Sequence, residues 1–376
     1  MKIVLTGGGT GGHFYPLIAV AEEINSIIEE KKIIDMKMYY LSDSPYDKGL
    51  LLEHQIIFEE VSSGKSRIYK SSKNIIDRIK TFLGIFQSLI KLFLIFPDVV
   101  FSKGGYASFP VIVAARILRI PVFMHESDSS PGRVSLYTSK FAKRIAVSYA
   151  EVGEFFPKEK VAWTGQPIRR EIQTKSGENA HEYWKLDPSK PTIWVTGGSQ
   201  GASIINNAII EALPELLKKY QIIHQVGNAN TTEVSGLASV VLGENSPQKE
   251  YYKIIGTMNP IQEKTAAGIA SCIISRAGST IFEIALWGVP SIIIPITNSN
   301  GDHQRKNAFN YARTGACVVI EEPNLTPSIL LEQLDKIVFD KPRTEFMSKN
   351  ALAFSKKDAA KKIANEIIEI ALSHER

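Results

Sequence analysis

The chain writes one glycine-rich segment twice. Ile3-Val-Leu-Thr-Gly-Gly-Gly-Thr-Gly-Gly12 aligns without gaps on Ile193-Trp-Val-Thr-Gly-Gly-Ser-Gln-Gly-Ala202, five of ten positions being identical, and a helical pattern follows each copy. A short apolar run, a glycine turn and a helix make a βα unit, so the repeat predicts two similar α/β domains. The alternative is chance likeness between two βα turns. At roughly 150 residues per domain, 376 residues leave room for two or three. Between the copies the same alternation continues: Ile3 to Thr6, Met36 to Ser42, Val99 to Ser102, Pro121 to His125 and Arg144 to Ser148 are short runs rich in Ile and Val. Such runs are expected of parallel strands buried on both faces.

The first domain is expected over 1–163, ending where Gly and Pro interrupt Trp163-Thr-Gly-Gln-Pro167, and the second over 164–342. A final helix of roughly 343–373 is long enough to pack back on the first domain. With 22% charged and 44% apolar residues the chain is expected to fold, and a net charge of +5 over this length is too mild for nucleic-acid binding. Cys272 and Cys317 lie in apolar segments and point to a reduced chain without a disulfide framework. Met1 to Thr6 lacks the apolar core of a signal peptide. Leu83 to Pro97 is interrupted by Gln87, Ser88 and Lys91 and falls short of the ~20 residues of a spanning helix, so any membrane contact is expected to be peripheral.

Four glycine turns carry the chemistry. Gly7 to Gly12 precedes the helical pattern that begins near Pro16, and backbone N–H groups with a helix dipole favour an anion there, phosphate first. Gly7-x-Gly9-x-x-Gly12 also fits a dinucleotide fingerprint, but the acid expected ~20 residues later is poorly placed. Asp35 precedes the second strand, and Asp43 lies 31 residues beyond Gly12. His13 abuts this turn, either as a structural hydrogen-bonding group or as a base near neutrality. The other turns are Gly197 to Ala202, Ser102-Lys-Gly-Gly-Tyr106 and Arg276-Ala-Gly-Ser-Thr280. They are either the plain geometry of βα units or the cradle of an anion-rich ligand, which makes Gly278, Ser279 and Thr280 candidate contacts. Glu283 shares a helical face with Ser279 and Thr280, as an acceptor for a sugar diol or as a solvated surface acid.

Gly8-Gly-Thr-Gly-Gly-His13 with Pro16, Lys103-Gly-Gly-Tyr-x-Ser-x-Pro110, His125-Glu126 before Gly132, Gly165-x-Pro-x-Arg169, Gly197-Gly-Ser-Gln-Gly-Ala202, Ser275-Arg-Ala-Gly278 and His303-Gln-x-x-Asn-Ala308 together resemble the MurG family, in the family's order over about residues 3 to 320. The resemblance implies a GT-B fold, two Rossmann-like domains with parallel sheets facing across a cleft. It implies inverting transfer of N-acetylglucosamine (GlcNAc) from UDP-GlcNAc to the 4-hydroxyl of the N-acetylmuramic acid (MurNAc) in lipid I, undecaprenyl-diphospho-MurNAc-pentapeptide. The product is lipid II for peptidoglycan, and no metal or cofactor is implied. The sequence contains no Asp-x-Asp. The resemblance further implies that Thr10, Gly11 and Gly12 are donor-site residues and that His13 lies near the transferring sugar as the base, with Glu126 as a competitor. Arg169 and Ser199 would contact the diphosphate, Ile255 the uracil, Glu283 the ribose and Gln304 the donor sugar.

Three departures stand out. Asp128 occupies a position that is usually Asn in the family and adds negative charge near an anionic donor. Gln166 replaces the Asn of a Gly-Asn-Pro motif, and the stretch from Arg276 to Glu283 is one residue short. A lipid-linked acceptor also calls for contact with the cytoplasmic leaflet. Between Val61 and Lys91 seven basic residues, Lys65, Arg67 and Lys70 among them, face one acid, Asp77. Ile75, Ile79, Phe82, Phe86, Leu89 and Phe93 form one helical stripe, with Lys73, Lys80 and Lys91 roughly opposite. A surface helix packed on the core shows the same pattern; with the resemblance, this segment is expected to be a peripheral contact with the inner face of the cell membrane. The rival functions are a UDP-GlcNAc 2-epimerase-like GT-B enzyme and a dinucleotide-dependent oxidoreductase.

Overall fold

The computed structural model describes residues 1–8, 10–64, 73–198, 200–297 and 300–374, with all side chains among them except those of residues 73, 74, 300 and 374. The chain divides into two compact units, residues 1–170 with 356–376, and residues 171–355.

In the first unit β1 (Lys2–Thr6), β2 (Lys37–Ser42), β3 (Ile56–Glu60), β4 (Val99–Ser102), β5 (Val122–Glu126), β6 (Arg144–Val147) and β7 (Val161–Trp163) form a sheet ordered β3-β2-β1-β4-β5-β6-β7. Neighbours are parallel throughout. The connections carry α1 (Gly11–Lys31), α2 (Lys48–Glu53), α3 (Lys73–Ile95), α4 (Phe109–Ile117) and α5 (Arg133–Thr138). Strand β1 shows why its sequence is apolar without alternation. Ile3 and Leu5 join Phe14, Leu17 and Ile18 of α1 on one face, while Val4 joins Leu92 of α3 and Val111 and Ile112 of α4 on the other. Both faces are covered, so Ile3 to Thr6 are all buried. Strand β3 is absent from the runs picked out in the sequence, because it is an edge strand whose Ile57, Phe58 and Glu59 remain partly exposed.

The second unit opens with α6 (Ala180–Trp184) and builds β8 (Thr192–Thr196), α7 (Ser203–Lys219), β9 (Gln221–Gln225), α8 (Thr231–Leu242), β10 (Tyr252–Ile255), α9 (Pro260–Ile269) and β11 (Ala270–Ser275). It continues with α10 (Thr280–Trp287), β12 (Ser291–Ile293), α11 (His303–Ala312), β13 (Cys317–Val319), α12 (Pro327–Val338) and α13 (Lys341–Phe354). Its parallel sheet is ordered β10-β9-β8-β11-β12-β13.

The final helical pattern, read as one helix over roughly 343–373, is two helices. α13 belongs to the second unit, and α14 (Ala359–His374) returns to the first, where Ile363, Ile367 and Ile370 pack in the cluster of α1. Ser355 takes an extended conformation, and Asp358 starts a new helix, its carbonyl accepting from the Lys362 N–H and its carboxylate pairing with Lys362 at 2.8 Å. An acid at a helix start favours that start. The division also falls later than Trp163. Thr164 and Gly165 donate to the Val147 carbonyl at 3.1 Å, and the Arg170 guanidinium grips Glu23 of α1 at 2.7 Å, so residues 164–170 are tied to the first unit. The Gly-Pro interruption marks the end of a strand.

Candidate functional site

Both sheets reverse their strand order once. The chain builds β1, β2 and β3 outward in one direction and then returns to place β4 on the other flank of β1; β8, β9, β10 and β11 do the same. A reversal splays the connections at the carboxyl ends of the two central strands, which is where ligands bind in open α/β sheets. The four glycine turns follow β1, β4, β8 and β11. They are therefore the four connections that flank the two reversals.

At the first reversal the turn after β1 is fixed by Tyr40 OH and Ser42 Oγ, which donate to the Gly7 carbonyl at 2.7 and 2.9 Å. Thr10 is exposed in an extended cap conformation, and α1 begins with Gly11, Gly12 and His13. His13 Nδ1 lies 3.0 Å from the Lys103 carbonyl. A carbonyl only accepts, so the neutral imidazole carries its proton on Nδ1 and its lone pair on Nε2. Gly105, at φ +82°, faces that ring, and a Cβ there would stand 3.4 Å from His13 Nε2. A side chain at this position would lie against the basic nitrogen.

Behind this turn lies a buried polar cluster. Glu126 ends β5, and its two oxygens accept from the N–H groups of Asp128 at 3.0 Å and Gly132 at 3.1 Å, which closes the loop between them. Burial and the neighbouring Asp128 push the Glu126 carboxyl up, against hydrogen bonds from Ser135, Asp128 and Gly132. His125 Nε2–H donates to the Gly165 carbonyl at 2.9 Å, and burial with the nearby Lys103 holds its pKa well below the ordinary imidazole value. Gln166 is buried, its Oε1 accepting from Ser148 Oγ at 2.9 Å. Arg169 is buried with its guanidinium 4.3 Å from the Tyr15 ring centroid, two residues along α1 from His13. Sequence reading placed Arg169 in the second domain; it lies in the first unit.

At the second reversal Gly278, Ser279 and Thr280 are half-buried, Ser279 standing at the cap of α10 and Thr280 at its first position. Ile281 and Phe282 bond back to Gly278 and Ser279, a tight start to the helix. Glu283 occupies the first turn of α10, on the face of Ser279. Asn307 of α11 donates to the Ala277 carbonyl at 3.1 Å, and Gln304 Oε1 accepts from the Ile296 N–H at 3.2 Å. Ile255 ends the edge strand β10, its carbonyl taking the Val226 N–H at 2.8 Å. Three strand spacings separate β10 from β11, or ~14 Å at ~4.8 Å each, the reach of an elongated ligand. Ser199 lies outside the described residues, as do Lys65, Arg67 and Lys70.

Two features escaped the sequence reading. Lys103 sends its side chain into the cluster around His125, and its place directly after the fully buried strand β4 is the one sequence signal that a cation enters the fold. Arg276 pairs with Glu322 at 2.7 Å, and Glu322 also accepts from the Thr297 N–H at 2.9 Å. Burial raises the Glu322 carboxyl, and the bonds from Thr297 and Arg276 outweigh it and hold it below the usual carboxylate range. No group of His, Cys, Asp and Glu suited to a metal ion occurs among the described residues.

Helix α3 leaves Ile75, Ile79, Phe82, Phe86 and Phe93 exposed. Leu89, expected in the same stripe, is partly buried against the core cluster of Leu92, and Lys91 pairs with Glu59. No helix among the described residues is long and apolar enough to cross a membrane.

Residues 3–147 match the model of the glycosyltransferase family 28 N-terminal domain, and residues 192–363 that of its C-terminal domain. The UDP-N-acetylglucosamine-N-acetylmuramyl-(pentapeptide) pyrophosphoryl-undecaprenol N-acetylglucosamine transferase 2 of Bacillus cereus is 35% identical over 98% of this chain and 99% of its own. Among solved structures, Acinetobacter baumannii MurG aligns with TM-score 0.72 at 23% identity over 98% of this chain and 99% of its own. A UDP-GlcNAc 2-epimerase from Neisseria meningitidis aligns with TM-score 0.68 at 15% identity, covering 98% of this chain and 100% of that one. The two structural likenesses show the shared fold.

Proposed function

Because the chain belongs to glycosyltransferase family 28, in its MurG branch, we propose that it transfers GlcNAc from UDP-GlcNAc to the MurNAc 4-hydroxyl of lipid I, forming lipid II. The observation that carries this reading is the placing of all four glycine turns at the two strand-order reversals. Glycine turns that merely closed βα units would have no reason to concentrate there.

The second unit takes the donor. Ile255 flanks the uracil, Glu283 accepts from the ribose hydroxyls, Ser199 with Gly278, Ser279 and Thr280 lines the diphosphate, and Gln304 contacts the sugar. On the first unit His13 Nε2 removes the proton of the acceptor hydroxyl, whose oxygen attacks C1 of GlcNAc from the face opposite UDP, inverting that carbon. Negative charge then gathers on the departing diphosphate. Fixed N–H groups of the turns and the Arg169 guanidinium stabilise it without reorganising, a large catalytic term that needs no metal. Glu126 has both oxygens engaged by the backbone of its own loop, so we assign the base to His13. Thr10, Gly11 and Gly12, in the turn beside it, are assigned to binding the donor.

The exposed apolar face of α3 favours the transferase over the epimerase that shares its fold, since a soluble sugar nucleotide has no use for such a face. We assign it, with Lys65, Arg67 and Lys70, to peripheral contact with the cytoplasmic leaflet. Incubation of the full chain with UDP-GlcNAc alone separates the two readings. The donor is expected back unchanged; its conversion to another sugar nucleotide refutes the proposal in favour of the epimerase.

A further inference from the structure

Lys103 follows strand β4 and enters the fold; its residue is 2% exposed. Its Nζ stands 2.5 Å from His125 Nδ1 and 3.3 Å from Gln166 Oε1, and it donates to Ser127 Oγ. An ammonium has three N–H donors, and here each finds one acceptor. The His125 contact is consistent, because Nε2 gives its proton to the Gly165 carbonyl and leaves a lone pair on Nδ1. The clamp thus joins the connections after β4, β5 and β7 through one buried cation.

Two consequences meet at the reaction site. The carbonyl of this same residue receives the His13 Nδ1 proton, so whatever fixes Lys103 fixes the tautomer and aim of His13. Its partner Ser127 lies between Glu126 and Asp128, the two carboxylates of one short loop. Both act to keep Lys103 protonated, although burial pulls its pKa down to about 7. An anionic substrate beside two uncompensated carboxylates would be repelled.

We propose that Lys103 is a positioning residue for the transfer: its ammonium, clamped by His125, Ser127 and Gln166, holds the turn whose carbonyl orients His13, and its charge offsets Glu126 and Asp128. This deepens the proposed function and rests on His13 acting as the base there. It also accounts for Asp128, which departs from the family's usual Asn, by placing a cation beside it.

Lys103→Met keeps the aliphatic stem and removes the charge. Once wild-type transfer has been measured, this variant is expected to lose about tenfold to a hundredfold in kcat, the worth of one charge-assisted hydrogen bond, and to raise the donor KM, because the two carboxylates then repel an anionic substrate. Adding Asp128→Asn is expected to bring the donor KM back toward the wild-type value while the kcat loss from the missing clamp remains, a partial rescue that a purely structural lysine would not show. A folded Lys103→Met with wild-type kcat, or a double variant with a donor KM no lower than that of the single one, overturns the proposal. Nitrogen NMR of wild-type protein with isotope-labelled histidine gives a readout that needs no variant and no activity. His125 is expected with its proton on Nε2 and neutral His13 with its proton on Nδ1; a His125 protonated on Nδ1 overturns the clamp. Absence of wild-type transfer would instead refute the proposed function, and the NMR result would still decide on Lys103.

Discussion

Replacing Phe82 and Phe86 of α3 together with Ala should release the protein from anionic lipid vesicles while leaving its fold intact. The two side chains are 73% and 61% exposed, so their contribution to folding is small and surface substitutions of this kind stay within about 0.5 kcal/mol. Full burial of a phenylalanine contributes ~2.5 kcal/mol. Scaled by those exposures, insertion of both rings into the acyl boundary contributes about 3 kcal/mol, or roughly a hundredfold in the partition coefficient. The assay is co-sedimentation with vesicles containing phosphatidylglycerol, scored as the lipid concentration that binds half the protein. Val240 and Ile261 of the second unit, 80% and 63% exposed, provide an exposed apolar control pair outside α3, and their double Ala variant should bind as wild type does. A shift of less than about threefold for the α3 pair, against the ~100-fold worked out, would refute the membrane assignment. So would an equal shift for the control pair.

Other outcomes follow from single residues. His13→Gln should lower kcat by about a hundredfold to ten-thousandfold, the usual worth of a general base, and full turnover in steady-state assays would remove His13 from that role. Gly201 sits at φ +74°, and an added Cβ would come within 1.9 Å of the Val226 carbonyl oxygen. Gly201→Ala is thus expected to cost about 2–5 kcal/mol in urea unfolding of the second unit, from left-handed strain plus overpacking; a loss below ~1 kcal/mol would contradict the turn geometry. His224 is buried between Tyr252 OH at 2.7 Å and Asn206 Oδ1 at 3.1 Å, and burial lowers its pKa from 6.5 to about 3. Between those values the unfolded chain binds a proton that the folded chain refuses. The contribution is present above pH 6.5 and lost as pH falls toward 3, at up to ~1.4 kcal/mol per unit. His224→Gln should flatten that slope, and parallel pH profiles for variant and wild type would rule the effect out.

Much of this architecture is legible in the sequence because burial on both faces forces apolar runs, as Ile3, Val4 and Leu5 show, and because the turns after β1 and β8 repeat. Edge strand β3 is not legible for the converse reason, since its residues are only partly covered. The break between α13 and α14 hides inside an unbroken helical periodicity, and only the capping chemistry of Ser355 and Asp358 reveals it. Residues 164–170 show that a Gly-Pro signal marks the end of an element; which unit the next residues join depends on long-range bonds such as that of Arg170 to Glu23. At the site, motif residues such as His13 and Glu126 could be named from their neighbours in the chain. The Lys103 clamp could not, because its partners lie 22, 24 and 63 positions away and meet only through the sheet.

The most direct test of the account incubates the full chain with radiolabelled UDP-GlcNAc and lipid I in a buffer containing EDTA, then determines the product and its anomeric configuration. Label is expected in lipid II as a β-linked GlcNAc, with UDP released in equal amount. Label that never enters the lipid, a retained α configuration, or transfer abolished by the chelator would contradict it.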